Sequence, residues 1–239
     1  MAGNTILKNS KKTSPDEKPS LWKRVFRFLV WIVIIIPLFL VLVLFALSQF
    51  NPPFSFQMAK SFISHGNINH EWVDFENLPD DFGLTILATE DEHFCLHWGF
   101  DLKSSLDNEK GKPTTITQKA VRSLFLGDSE WALRRVLETP LTVLVEILWT
   151  KQRILELYLN YAGIDSSTFG VAAVSQTIFE KDIEILSLAE SALLTLVLEA
   201  PNEIDPNNLP PELVFRAEWV ENKVGELKAE GLGECLAKR

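Results

Sequence analysis

Cysteine is nearly absent from this 239-residue chain: Cys95 and Cys235 are the only two. They stand far apart, and nothing around them marks either as a metal ligand. Two free, packed thiols are the expectation, with a disulfide left open if the domain lies outside the cytoplasm. Positive charge is scarce beyond the start. Residues 1–28 carry seven Lys or Arg and two acids, a net of +5, so the remainder holds −14 of the formal −9. An acidic body lacks what binding to phosphate backbones requires, which excludes a nucleic-acid partner. A series of alternating strands is also missing, as is any internal repeat.

Charge is absent altogether from Phe28 to Ala59. Within that gap Leu29 to Leu47 is uniformly apolar apart from the uncharged Pro37. Such a run matches the roughly 20 residues that cross a bilayer as a helix. The flank Ser48-Gln49-Phe50-Asn51-Pro52-Pro53 lacks the small residues of a cleavage site, so the segment reads as a retained anchor. Lys18, Lys23, Arg24 and Arg27 precede it, and the next cation is Lys60. That asymmetry places the N-terminus in the cytoplasm and residues 51–239 outside, with Trp22 at the interface. The expected organisation is a polar cytoplasmic tail over 1–27, an anchor over 28–50, a Pro-interrupted connector over 51–80 and a domain over 81–239. Ile185 to Leu198 is Leu-rich but carries Glu190. It reads as a buried core helix, started by a Ser187–Glu190 capping box, and not as a second span.

Helical spacing dominates the domain. Leu133, Val136, Leu137, Leu141, Leu144, Val145, Leu148, Leu155 and Tyr158 recur at three- and four-residue intervals. Pro140 should kink that run or start a helix within it. Helices are also expected over 171–180, 187–199 and 212–228. The fold class is all-α.

Against that background several polar clusters stand in order. First comes Glu90-Asp91-x-x-Phe94-x-x-His97-x-Gly99-x-Asp101. Next are Thr114-Thr115-Ile116-Thr117-Gln118 and Arg134-Arg135-x-x-Glu138. Lys151-x-x-Ile154-Leu155-Glu156-x-Tyr158-Leu159-Asn160 and Gly170 to Phe179 follow. Five ordered motifs over roughly 82–205 resemble the family 51 glycosyltransferases of peptidoglycan synthesis, in their monofunctional form. No transpeptidase-like segment is seen before Arg239.

The resemblance implies a lysozyme-like helical domain behind one transmembrane helix, with its cleft near the membrane of a bacterial inner membrane. It implies lipid II and the nascent glycan strand as partners, together with the membrane, and other cell-wall synthesis proteins as candidates. The reaction would be inverting glycosyl transfer, in which an acceptor hydroxyl attacks the anomeric carbon and the lipid diphosphate leaves. Glu90 falls on the family's base position and Glu138 on its second acid. Substrate-binding positions fall on Asp91, Thr115, Gln118, Arg122, Arg134, Arg135 and Lys151. A hydroxyl attacking carbon needs a nearby carboxylate for its proton. A leaving diphosphate needs cations or a metal. A divalent cation, Mg or Mn, is admitted as an accessory, with no residue assigned to it.

Nine of the sixteen Lys and Arg beyond residue 28 lie between 101 and 160. That stretch has a net charge of +1, against −15 for the rest of the outer part, so it is where an anionic lipid head is expected. Arg134 and Arg135 can grip phosphate in two places. Arg134 and Glu138 stand four apart and should face one another on a helix. His97 reads as a structural hydrogen-bonding group, and Asn160 as a backbone partner.

Some positions depart from the family pattern. Lys112-Pro113 replace glycines before Thr114, Lys119 replaces a second Gln, and Arg122-Ser123 replace Lys-Asn. The segment after Asp101 is short. These changes cluster around donor binding and leave Glu90 and the fourth motif alone. Two other readings stand beside the polymerase: a non-catalytic binding or regulatory module, and a lysozyme-like hydrolase with Glu90 as acid.

Overall fold

A computed structural model describes residues 21–102, 114–127, 131–199 and 209–238, the side chains at 23, 131–133 and 135 excepted. The described part holds nine α-helices and one pair of two-residue strands. Two compact units meet in sequence at Leu42 and Val43.

The first unit contains most of α1 (Leu21–Gln49). Its stretch Arg24–Gln49 is, among the described residues, the one helix long and apolar enough to cross a membrane. Its large side chains, such as Trp31, Val33 and Phe39, are exposed, as an apolar medium would require.

The second unit begins with the final turns of α1. Trp149 donates its indole N–H to the Leu44 carbonyl at 2.7 Å. Arg153 reaches the carbonyls of Leu47 and Phe50. Leu47 lies in the last turn of α1, where carbonyls have no partner within the helix, so Arg153 satisfies one of them.

The stretch expected to be a connector is folded. It carries α2 (Phe56–His65), capped by the Ser55 side chain on the Met58 N–H. It also carries β1 (Asn69–His70), which pairs in parallel with β2 (Thr168–Phe169). Val73, Phe75 and Leu78 are buried. The prolines and polar residues that suggested a linker are the turns and caps of these short elements.

The core then follows the helical pattern. It comprises α3 (Phe82–Glu90), α4 (Ile116–Val121), α5 (Trp131–Leu148), α6 (Lys151–Tyr161), α7 (Val171–Phe179), α8 (Leu188–Glu199) and α9 (Glu212–Glu230). Packed between α3 and α9, α8 buries Ala192, Leu194, Leu196 and Val197. Its expected capping box forms, with Ser187 N–H on Glu190 Oε2 at 2.9 Å. Pro140 neither starts nor ends a helix, because α5 runs through it. Asn160 behaves as expected, bridging the Val73 N–H and carbonyl.

The cysteines correct the expectation of free thiols. Cys95 and Cys235 form a disulfide, with Cα atoms 5.6 Å apart across 140 residues of sequence. Cys95 lies in the loop after α3 and Cys235 in a C-terminal 3-10 turn, Glu234–Leu236. Packing of distant segments, invisible in residue spacing, brings them together.

Candidate active site

Glu90 is the last residue of α3. A helix C-terminus exposes carbonyls and disfavours a negative charge. Its side chain is also 0% exposed. Burial therefore pushes the carboxyl above its ordinary range, while Lys119, and then the Tyr158 hydrogen bond, pull it partly back. The Tyr158 hydroxyl donates to Oε1 at 2.7 Å. The Lys119 ammonium stands 3.3 Å from the same oxygen. Oε2 is buried with no hydrogen-bond partner among the described residues. Glu90 borders a hollow of about 230 Å³ shared with Asp91, Glu92, His93, Asp101, Thr114 and Thr115.

The residues just past Glu90 brace this corner. Asp91 accepts from His97 Nε2 at 2.9 Å and from the Ile116 N–H at 3.0 Å, fixing the start of α4. His97 is thus structural, as expected. Thr115 caps α4: its hydroxyl donates to the Gly99 carbonyl at 2.7 Å, and Gln118 completes a capping box. Gly99 has a φ of 78°, and a Cβ there would meet Thr142 Cγ2 at 2.5 Å.

Lys151 lies deeper. It donates to the His97 carbonyl and to Glu146 Oε1, both at 2.8 Å, and stands 4.4 Å from the Phe94 ring centroid. Thr117 donates to the same Glu146 oxygen at 2.5 Å. In this arrangement Asp91, Thr115 and Lys151, all expected at the substrate, hold the protein to itself.

Glu138 has different neighbours from those expected. Arg122 grips it in two places, Nε on Oε2 and Nη2 on Oε1, each at 2.8 Å. Gln118 adds a bond at 3.1 Å. Arg134, placed opposite Glu138 by helical spacing, makes no hydrogen bond or ion pair among the described residues. The fork of Arg122 outcompetes it. The Arg122 side chain remains 34% exposed against 8% for Glu138. Arg122 opens a π-helical turn, Arg122–Leu126, directly after α4. The side chain of Arg135 lies outside the described residues.

Consecutive residues of α4 therefore reach both expected catalytic acids: Gln118 binds Glu138 and Lys119 faces Glu90. That corrects the reading of Lys119 as a donor-side change that spares Glu90. Among the described residues no three His, Cys, Asp or Glu side chains gather as a metal cage. Glu138, the acid best placed to help hold an ion, is already bound by Arg122 and Gln118, so no step below is routed through a metal.

Sequence reasoning missed three contributors. Tyr158 and Lys119 were legible only as motif letters, and Glu146 carried no signal beyond being an acid in an apolar helix.

Comparison with known proteins adds independent findings. A family model described as transglycosylase matches residues 57–225. The chain is 37% identical over 215 residues to the biosynthetic peptidoglycan transglycosylase of Pasteurella multocida, covering 82% of this chain and 87% of that protein. With the protein of that name from Haemophilus influenzae it shares 34% identity over 233 residues, covering 90% and 92%. With that from Pseudomonas aeruginosa it shares 32% over 222 residues, covering 87% and 94%.

Proposed function

The chain belongs to the transglycosylase family, and from that premise we propose that it polymerises lipid II into β-1,4 glycan strands by inverting transfer. Glu90 is the general base. It takes the proton of the acceptor hydroxyl as the new C–O bond forms at the donor's anomeric carbon, and the electron pair of the broken bond leaves with the lipid diphosphate. The observation that carries this reading is the state of Glu90: one carboxylate oxygen held by two donors, the other desolvated and unpartnered. A raised carboxyl is a stronger base than an ordinary one once ionised.

Arg122 and Arg134 meet the departing diphosphate. Glu138 aims Arg122 by its two-point grip, and its charge keeps the guanidinium plane fixed. The domain works outside the cytoplasm of a bacterial inner membrane, with the N-terminus inside. The basic flank before the apolar run of α1 supports that orientation. So does the Cys95–Cys235 bridge, since disulfides persist in oxidising compartments. Other wall-synthesis proteins are the partners to seek.

The test is incubation of the detergent-solubilised full chain with labelled lipid II, followed by gel separation of products. Wild type should give polymer, and Glu90→Gln should slow it by about a thousandfold, the usual worth of a positioned base. Lipid II binding without polymer in wild type, or shortening of preformed strands, would replace the polymerase with a binding module or a hydrolase.

A further inference from the structure

We propose that Lys119 is a positioning residue for Glu90: its ammonium and the Tyr158 hydroxyl together fix Oε1, which assigns proton acceptance to Oε2. The inference rests on Glu90 being the base, and it adds which oxygen acts and what holds it.

The geometry is specific. Lys119 lies on α4 and Tyr158 on α6, so two elements converge on one oxygen from different sides, at 3.3 and 2.7 Å. An oxygen that already accepts from an ammonium and a hydroxyl is the poorer base of the two. Oε2, buried and without a donor, keeps its lone pairs available. Asp91, Glu92, His93 and Asp101 line the hollow beside Glu90, and three further groups bear on its ionisation. Lys119 attracts its ionised form. Glu199, at the end of α8, repels it, and Tyr158 is uncharged over the working range because its own hydroxyl is pushed far above its ordinary value by burial.

Lys119 is 26% exposed at its side chain while Glu90 is fully covered. Removing the ammonium therefore leaves the buried carboxylate with the Tyr158 hydrogen bond in its favour, while burial and Glu199 both favour the protonated form. The acceptor's proton ends on Glu90 Oε2, and the diphosphate leaves with the bonding pair.

Activity requires ionised Glu90, so it falls as pH drops through that group's folded pKa. Without Lys119 that fall should begin at higher pH. The experiment compares wild type with Lys119→Met, Lys119→Gln and Lys119→Arg, as full chains in detergent. Polymerisation of labelled lipid II is measured across pH, and Glu90 ionisation is followed by infrared difference spectra with Glu90→Gln as the blank. In Lys119→Met and Lys119→Gln the acidic limb of kcat/KM and the infrared midpoint should both move up by about one pH unit. Lys119→Arg should restore them toward wild type. Unmoved midpoints in the Met and Gln variants would overturn the proposal. A moved midpoint with no polymer in wild type would support the Lys119–Glu90 coupling and overturn the polymerase reading alone.

Discussion

Glu146 and Glu90 are both buried acids facing a lysine, and they differ in how firmly they are held. Glu146 meets Lys151 at 2.8 Å and Thr117 at 2.5 Å, and Lys151 also holds the His97 carbonyl. Glu90 likewise engages a lysine and a hydroxyl through one oxygen, but its lysine stands farther off, at 3.3 Å, and its other oxygen is buried with no partner among the described residues. A buried ion pair whose lysine also ties down a loop carbonyl fixes geometry. A buried carboxylate that is half satisfied costs free energy, and chemistry can use that reactivity. The first region is a brace, and the second is the part it braces.

The largest effect tests what keeps the braced loop in place. Cys95 sits between Phe94 and His97 of that loop, and its bridge to Cys235 closes 140 residues. By the chain-entropy account a loop of that length stabilises by about 5 kcal/mol. Cys235→Ser should lower the denaturant midpoint accordingly, and reduction of wild type should reproduce it. A midpoint insensitive to reduction would show that the brace holds without its bridge.

Next in size is the brace itself. Lys151→Met leaves Glu146 buried and uncompensated, which should cost about 3 kcal/mol in denaturant unfolding. Adding Glu146→Gln should recover much of that loss, because the two changes share one interaction. Loss of polymerisation without loss of stability in Lys151→Met would move Lys151 from the brace to the substrate.

The difference between the two regions also explains what could be read from sequence. Helices showed because apolar residues recur with the helical period, as in α8 and α9, and the Ser187–Glu190 cap is a local pattern spanning four residues. The acids Glu90 and Glu138 showed through ordered motifs. Their partners did not. Arg134 stands at the spacing for Glu138, yet Arg122, which opens a π-helical turn sixteen positions before Glu138, takes that acid. Lys119 meets Glu90 across 29 positions and Cys95 meets Cys235 across 140. Periodicity reports one helix's own face, whereas these pairings depend on how α3, α4, α5 and the C-terminal turn pack. The short helix within 51–80 was hidden for a related reason: its prolines and polar residues serve as caps and turns, and composition alone reads the same as a linker.

The smallest effect bears most directly on the comparison, because it measures the cost of Glu90 without any substrate. Burial raises its carboxyl, with Lys119 and Tyr158 working the other way. The folded chain thus holds that proton more tightly than the unfolded chain does. The stability this group contributes is whole below its unfolded pKa and is lost as pH rises through the folded one. Glutamine cannot ionise, so Glu90→Gln loses nothing over the same window. The Tm of Glu90→Gln relative to wild type should match at acid pH and rise to a few degrees above it by neutral pH. The same substitution that removes activity would then stabilise the fold, as expected where a reactive group is held at a cost. Glu146→Gln should show no such gain, since its carboxylate is matched by Lys151 and its replacement leaves the ammonium short of a partner. A flat difference for Glu90→Gln across pH would mean its carboxyl is as well accommodated as Glu146, and the distinction between brace and base would be lost.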